Sequence, residues 1–111
     1  MSSMWRSNTS ETTMKVLLNI IRAQGMTLIN ICQEELLGKV FREGEIILDI
    51  SEKFYGGESV ELDYALSLID EATVMSIVGN YAVEEAIRRG LVHKDSVINV
   101  AGIKFAQVYN V

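Results

Sequence analysis

Few side chains in this sequence can transfer a proton, attack a substrate or bind a metal ion. His93 is the only histidine and Cys32 the only cysteine among the 111 residues. A nucleophile activated by histidine would therefore depend on one base, and no nucleophile motif such as G-x-S-x-G accompanies it. A structural zinc site needs four Cys or His ligands, twice the number present. We therefore predict no catalytic residue, no metal and no cofactor.

Carboxylates are the most abundant reactive groups, and they are unevenly distributed. Residues 33–71 contain eleven acids and three bases, a net charge of −8, although the whole chain carries only −5. This acidic middle repels phosphate backbones, so nucleic-acid contact would have to use the ends of the chain. The alternative to a non-enzymatic protein is a small enzyme or a small-ligand-binding protein that uses Glu43, Glu45 and Glu58.

The segment "SEKFYGGES", residues 51–59, is the main candidate for binding. If the preceding strand continues through it, Phe54 and Tyr55 point to opposite sides, so that one is buried and the other lies at the rim. A half-exposed tyrosine beside bare backbone is a common recognition element. Gly56 and Gly57 permit the positive φ values of a sharp reversal. These four residues either form a turn anchored by its aromatic side chains or serve as a binding loop, and we take them as candidate binding residues.

A small basic cluster in the second half is a further candidate. Arg88 and Arg89 fall opposite the apolar stripe of a predicted helix. They either balance Glu84 and Glu85 at i,i+4 spacing or contact RNA or an acidic protein. Direct RNA contact would use these two arginines together with Lys94.

Predicted strands and helices, which would position these residues, alternate along the chain. Strands are predicted over 15–21, 26–32, 45–50 and 73–79, with two more between 95 and 111. Helices are predicted over 34–44, from a cap at Ser59, and from a cap at Asn80 to Gly90. The pattern predicts one α+β domain over residues 14–111, with a mixed sheet of five or six strands and about three helices.

The remaining sequence gives weaker expectations. Residues 1–13 are polar and aperiodic, which predicts a disordered N-terminal arm, although Trp5 and Arg6 could dock on a partner. No apolar run is long enough for a membrane span, and the first residues contain no hydrophobic signal core. We expect a cytoplasmic protein without membrane contact.

Three longer blocks resemble a known family. "EELLGKVFREGEIILDISEKFYGG", "VGNYAVEEAIRRGLV" and "VINVAGIKFAQV" are similar to the small archaeal family known as domain of unknown function 424, over about residues 14–108. The resemblance implies an archaeal, cytoplasmic protein with no assigned activity, in a family whose members are associated with genes for translation and RNA processing. In relatives the last block is closer to Gly-Val-Pro-His-Ala-Gln, which implies that this chain has Phe105 in place of a histidine and retains Gln107.

From these observations we expect a non-catalytic binding module with a protein or ribonucleoprotein partner. The expected surface combines the "FYGG" loop with the C-terminal strand at Gln107. The basic helix face at Arg88 and Arg89 is the second candidate surface.

Overall fold

The computed structural model describes residues 14–110. The predicted N-terminal arm, including Trp5 and Arg6, lies outside this part of the chain. The first two predicted strands are present as β1 (Lys15–Ala23) and β2 (Met26–Gln33), which pair antiparallel in a β-hairpin. Gln24 and Gly25 both adopt positive φ in the two-residue turn, the conformation that matches the twist of paired strands.

The other elements follow in chain order: β3 (Val40–Glu43), β4 (Ile46–Asp49), α1 (Glu52–Tyr55), β5 (Glu58–Glu61), α2 (Leu62–Ser67), β6 (Val74–Val78), α3 (Asn80–Arg88), β7 (Ile98–Val100) and β8 (Ile103–Tyr109). Short 3-10 turns occupy Glu34–Leu36, Leu68–Glu71 and Lys94–Ser96.

A mixed six-stranded sheet with the order β5-β1-β2-β6-β8-β7 forms the centre of the fold. The β2–β6 pair is parallel and the other pairs are antiparallel. The segment β6–α3–β7 joins two parallel strands that are separated by β8, since β8 is antiparallel to both. These features confirm the predicted α+β class, the mixed sheet and the approximate number of helices.

The two faces of the sheet are covered differently. On one face, α2 and α3 pack against apolar side chains of the central strands and close the larger core, which includes Ile31, Leu66, Met75, Ile77 and Val83. On the other face, the β3–β4 hairpin and α1 cover only one end of the sheet. The smaller core beneath them includes Cys32, Leu48, Ile50, Tyr55 and Val78.

The helix predicted over 34–44 is wrong. Only Glu34–Leu36 forms a helical turn, and the chain then enters β3, which pairs with β4 as a separate two-stranded sheet. Gly38 adopts a φ of 85° and ends the turn, while Gly44 at 62° forms the β3–β4 turn instead of a helix C-cap. Val40 and Phe41 favour a strand, so their pairing with β4 outweighs the weak helical spacing.

Both predicted helix caps are also wrong. Ser59 lies in β5 opposite Leu17, and the helix starts only at Leu62. Asn80 is the first residue of α3, and its side chain instead bonds the β7–β8 turn, donating to the carbonyl oxygen of Gly102 at 2.9 Å. The local sequence was suitable for both caps. Ser59 instead pairs with β1, and the Asn80 side chain instead makes a long-range hydrogen bond.

Helix α3 is capped from a distant strand. The side-chain oxygen of Gln33, at the end of β2, accepts hydrogen bonds from the backbone N–H groups of Tyr81 (2.8 Å) and Ala82 (3.0 Å). Gln33 is buried, and its oxygen provides the acceptor that these two N–H groups lack within the helix. The cap therefore ties α3 to the central sheet.

Within residues 14–110, no helix is long and apolar enough to cross a membrane.

Replacing Gln33 with leucine should lower the free energy of unfolding by about 1–3 kcal/mol, because one buried and one partly buried N–H group would lose their acceptor. Urea denaturation measures this loss. Glu35→Ala is the control, since it removes only the exposed partner of the Gln33 amide nitrogen and should cost less than about 1 kcal/mol. Equal losses in the two variants would contradict the capping role.

Candidate functional site

The two aromatic residues of the "FYGG" segment lie on a single helical turn. Ser51 caps this turn, α1, by accepting a hydrogen bond from the N–H group of Phe54. Tyr55 is 8% exposed and Phe54 is 48% exposed. One aromatic is buried and one lies at the rim, as the sequence predicts. The segment is a helical turn, however, and the half-exposed aromatic is phenylalanine where a tyrosine was expected.

The two glycines are required for close approach and not for positive φ. Gly56 has a φ of −73°, and Gly57 is not among the residues with positive φ, so that prediction is wrong. A Cβ atom on Gly57 would lie 2.1 Å from the carbonyl oxygen of Leu18, and one on Gly56 would lie 2.6 Å from that of Glu52. The chain passes this close to β1 because it must enter β5 beside it.

A row of polar side chains crosses the sheet next to α1. Asn19, Asn30, Ser76 and Gln107 are consecutive register partners on β1, β2, β6 and β8. Strand alternation places all four on the face opposite α2 and α3. We call these four residues the polar row.

The first two members of the polar row hold α1 on the sheet. The side-chain amides of Asn19 and Asn30 both donate to the carbonyl oxygen of Phe54, at 2.7 and 2.9 Å. Asn19 also donates to the carbonyl oxygen of Lys53 at 3.2 Å. The last carbonyl groups of a helix lack donors within the helix, and here the two asparagine amides are the donors.

The other two members belong to a chain of hydrogen bonds. The Tyr109 hydroxyl donates to the Gln107 side-chain oxygen at 2.7 Å, and the Gln107 amide donates to the Ser76 hydroxyl oxygen at 3.0 Å. Ser76 in turn interacts with the hydroxyl of Tyr55. This series of hydrogen bonds therefore links the exposed end of β8 to the buried side chain of Tyr55 in α1.

A groove follows the uncovered part of this sheet face. Its first section, about 280 Å³, has walls formed by α1, the end of β4 and the central strands. Its lining residues are Leu28, Asn30, Asp49, Phe54, Tyr55, Val74, Ser76 and Gln107. A second section, about 320 Å³, continues beyond Gln107 and is lined by Ser96, Ile98, Phe105, Gln107 and Tyr109. We call the two sections the sheet-face groove.

Exposed apolar side chains and a single carboxylate line the groove. Phe54, Ile98 and Tyr109 are between 45 and 61% exposed along it, and Asp49 is the only charged residue in its lining. Burial raises the pKa of Tyr55 to about 12, with the hydrogen bond from Ser76 acting in the opposite direction. Burial, followed by the nearby Glu35 and Glu34, raises the pKa of Cys32 to about 11. Both groups therefore stay protonated near neutral pH.

The carboxylates proposed for an enzyme are not brought together. Glu43 accepts a hydrogen bond from the N–H group of Ala101, beside edge strand β7. Glu58 lies in β5, the opposite edge of the six-stranded sheet. Glu45 lies in the β3–β4 turn, and none of the three lines the groove. Among residues 14–110, no group of three or more His, Cys, Asp or Glu side chains could hold a metal ion.

The basic candidates lie on the other face of the sheet and are bound to acids. Arg88 and Arg89 both pair with Glu85, the latter at 2.9 Å, and Arg89 also pairs with Asp63. The hydrogen bonds from Arg88 and then Arg89 lower the pKa of Glu85. The predicted balance of charges is therefore present, although Glu84 pairs with Lys104 and not with Arg88. These arginines do not share a surface with the "FYGG" segment.

Sequence reasoning found Phe54, Tyr55 and Gln107 but missed the polar residues between them. Asn30, Ser76 and Asp49 received no role, although all three line the groove. A signal was present, because each central strand carries one amide or hydroxyl side chain inside an apolar run: "LLNII", "LINIC", "MSIV" and "FAQV". Only the strand register shows that these side chains form one row.

Comparison with known proteins gives a family and a fold. The family described as "Protein of unknown function (DUF424)" matches residues 21–111. A crystal structure of an uncharacterized conserved protein from Methanopyrus kandleri is similar to this one, with a TM-score of 0.71 and 31% sequence identity. The match covers 86% of this chain and 90% of that one. No curated protein gives a significant match.

Gly57→Ala should destabilise the protein by roughly 3 kcal/mol or more, because the new Cβ atom would collide with the Leu18 backbone. Gly90→Ala is the control. Gly90 has a φ of 77° but no atom within 4 Å of an added Cβ, so alanine there should cost only about 1 kcal/mol. Thermal and urea denaturation of both variants tests the difference, and a milder effect at Gly57 would contradict the close-approach requirement.

Tyr55 should make the protein lose stability between pH 10 and 12. Its pKa is about 12 in the folded state against an ordinary value of 10.0, so the unfolded state releases its proton first as pH rises. The stabilisation is complete below pH 10 and is lost through this window, by about 2 kcal/mol. Urea denaturation across this pH range should give a shallower decline for Tyr55→Phe, and parallel curves would contradict the assignment.

Proposed function

Because this chain belongs to the DUF424 family, whose description assigns no activity, we propose a function from its own geometry. The protein is a non-catalytic binding module that captures an extended segment of a partner protein in the sheet-face groove. Its setting, on this proposal, is a ribonucleoprotein assembly such as the translation machinery.

One observation carries this proposal. A half-open sheet face exposes Phe54, Ile98 and Tyr109 along a groove that also presents the side-chain amide of Gln107. Exposed aromatic side chains provide large contact area at low entropy cost, and they are enriched among the residues that dominate binding energy. Reactive groups do not converge there, since Asp49 is the only ionised side chain of the lining.

The charges favour a protein partner over direct contact with RNA. Arg88, Arg89 and Lys104, three of the four bases in residues 72–111, pair with acids. The groove itself contains a carboxylate and no cation in its lining. Phosphate binding needs several free cations at one surface, so association with RNA would occur through the partner.

The dimensions of the groove also fit an extended segment. Its two sections meet at Gln107 and cross the strands from α1 toward β7. Three members of the polar row, Asn30, Ser76 and Gln107, lie along its floor, where they can bond the backbone of a peptide. Apolar side chains on either side of the row provide contact for the side chains of that peptide.

Tagged protein should capture a partner from the extract of the source cells, and this capture should survive nuclease treatment. Phe54→Ala and Tyr109→Ala should each weaken it about tenfold or more, because both rings are exposed groove residues. Tyr64→Ala is the matched control, since its ring is 54% exposed but lies on α2 at the other face. Affinity of the purified partner for each variant gives the measurement.

Three outcomes would contradict the proposal. Capture that disappears with nuclease and depends on Arg88 and Arg89 would indicate RNA binding at α3. Equal loss in the Tyr64 and Phe54 variants would remove the groove from the interaction. Failure to capture any partner across a range of salt concentrations would count against a binding module.

A further inference from the structure

Resting on the proposed function, we infer that the first section of the sheet-face groove is a subsite for the guanidinium group of an arginine in the partner segment. The subsite lies between α1, the end of β4 and the polar row. Its residues are Asn30, Asp49, Phe54, Ser76 and Gln107, all of which line the same 280 Å³ section.

Asn30 gives the first reason. Its side chain is 7% exposed, and its amide nitrogen donates to the carbonyl oxygen of Phe54. Its side-chain oxygen accepts no hydrogen bond from residues 14–110. A buried acceptor without a donor is costly, and native proteins seldom leave one unpaired. A ligand with an N–H group in the groove would satisfy it.

The other polar groups of the section are also acceptors. Asp49 contributes a carboxylate on the groove wall. Gln107 accepts one hydrogen bond through its side-chain oxygen, from Tyr109, and a carbonyl oxygen has a second lone pair. The Gln107 amide already donates to Ser76. A ligand at this point must therefore be rich in donors and preferably positive.

Charge around the section agrees with a cationic ligand. The β3–β4 hairpin and α1, residues 40–55, contain four acids and two bases. Phe54 offers a half-exposed ring at the rim, and Lys53 already places its ammonium nitrogen 5.8 Å from the centre of that ring. This contact shows that a cation can lie over the ring, and it also places one positive charge near the rim.

Arginine fits this set of groups better than lysine. A guanidinium group is planar, can bond a carboxylate through two parallel N–H groups and stacks on aromatic rings. Its remaining N–H donors can reach a second acceptor such as Asn30. The lysine ammonium is more strongly hydrated and has no flat face to stack on Phe54.

The test uses N-acetyl-arginine methylamide as the probe, added to ¹⁵N-labelled full-length protein and followed by NMR. We expect chemical-shift changes in the side-chain amides of Asn30 and Gln107 and in the backbone of Asp49 and Phe54. The lysine analogue and the neutral citrulline analogue should each bind at least about fivefold more weakly, because they lack the planar shape or the charge.

Three variants sharpen the test. Asp49→Asn should weaken binding of the arginine probe roughly tenfold or more, since it removes the charged partner. Glu45→Gln, in the β3–β4 turn outside the groove, is the control and should change affinity less than about twofold. Lys53→Gln should strengthen binding, because it removes a positive charge near the ring.

Equal binding of all three probes, shifts spread over the acidic surface, or equal effects of the Asp49 and Glu45 variants would overturn the inference. A ten-nucleotide RNA that shifts the same amides, and binds more weakly to Lys53→Gln, would identify a nucleic-acid site in its place. If the arginine probe fails while partner capture still depends on Phe54 and Tyr109, the inference falls and the proposed function stands.

Discussion

The structure depends on how the amides of Asn19 and Asn30 hold one backbone carbonyl group, that of Phe54. This contact fixes α1 on the open face of the sheet, although α1 is only four residues long and could not be stable alone. Once it is fixed, Tyr55 enters the smaller core, and Gly57 passes against the backbone of β1. The edge strand β5 and the wall of the groove both follow from this position.

The difference between the two sheet faces determines what the protein can do. Helices α2 and α3 close one face with apolar contacts, and Arg88 and Arg89 at the end of α3 pair with acids at its surface. The β3–β4 hairpin and α1 close only part of the other face. The open part retains exposed aromatic residues next to polar side chains, and on the proposed function the partner segment binds there.

Much of the fold was predictable because strong local patterns coincide with the final contacts. The β1–β2 hairpin, β6, α3 and the β7–β8 hairpin all have apolar periods bounded by glycine, and the structure confirms them. Apart from the cap predicted at Asn80, the errors fall between residues 34 and 61, where the apolar periods are short and ambiguous. In this region "EELLGKVF" has helical spacing, but its residues Val40 and Phe41 favour a strand. Pairing with β4 is the reason that a strand forms there. The cap at Ser59 failed for the same reason, since pairing with β1 was available.

Composition and local periods were sufficient to predict the α+β class and the scarcity of reactive side chains, and they also selected Phe54, Tyr55 and Gln107 as candidate binding residues. These depend on composition and on local periods, which a linear chain displays directly. Three results could be read only from the folded structure. The four residues of the polar row are register partners on neighbouring strands. Gln33 caps α3, and Glu43 and Glu58 lie at opposite edges of the sheet. Each of these results depends on strand order and register, which are set by contacts between residues far apart in the chain.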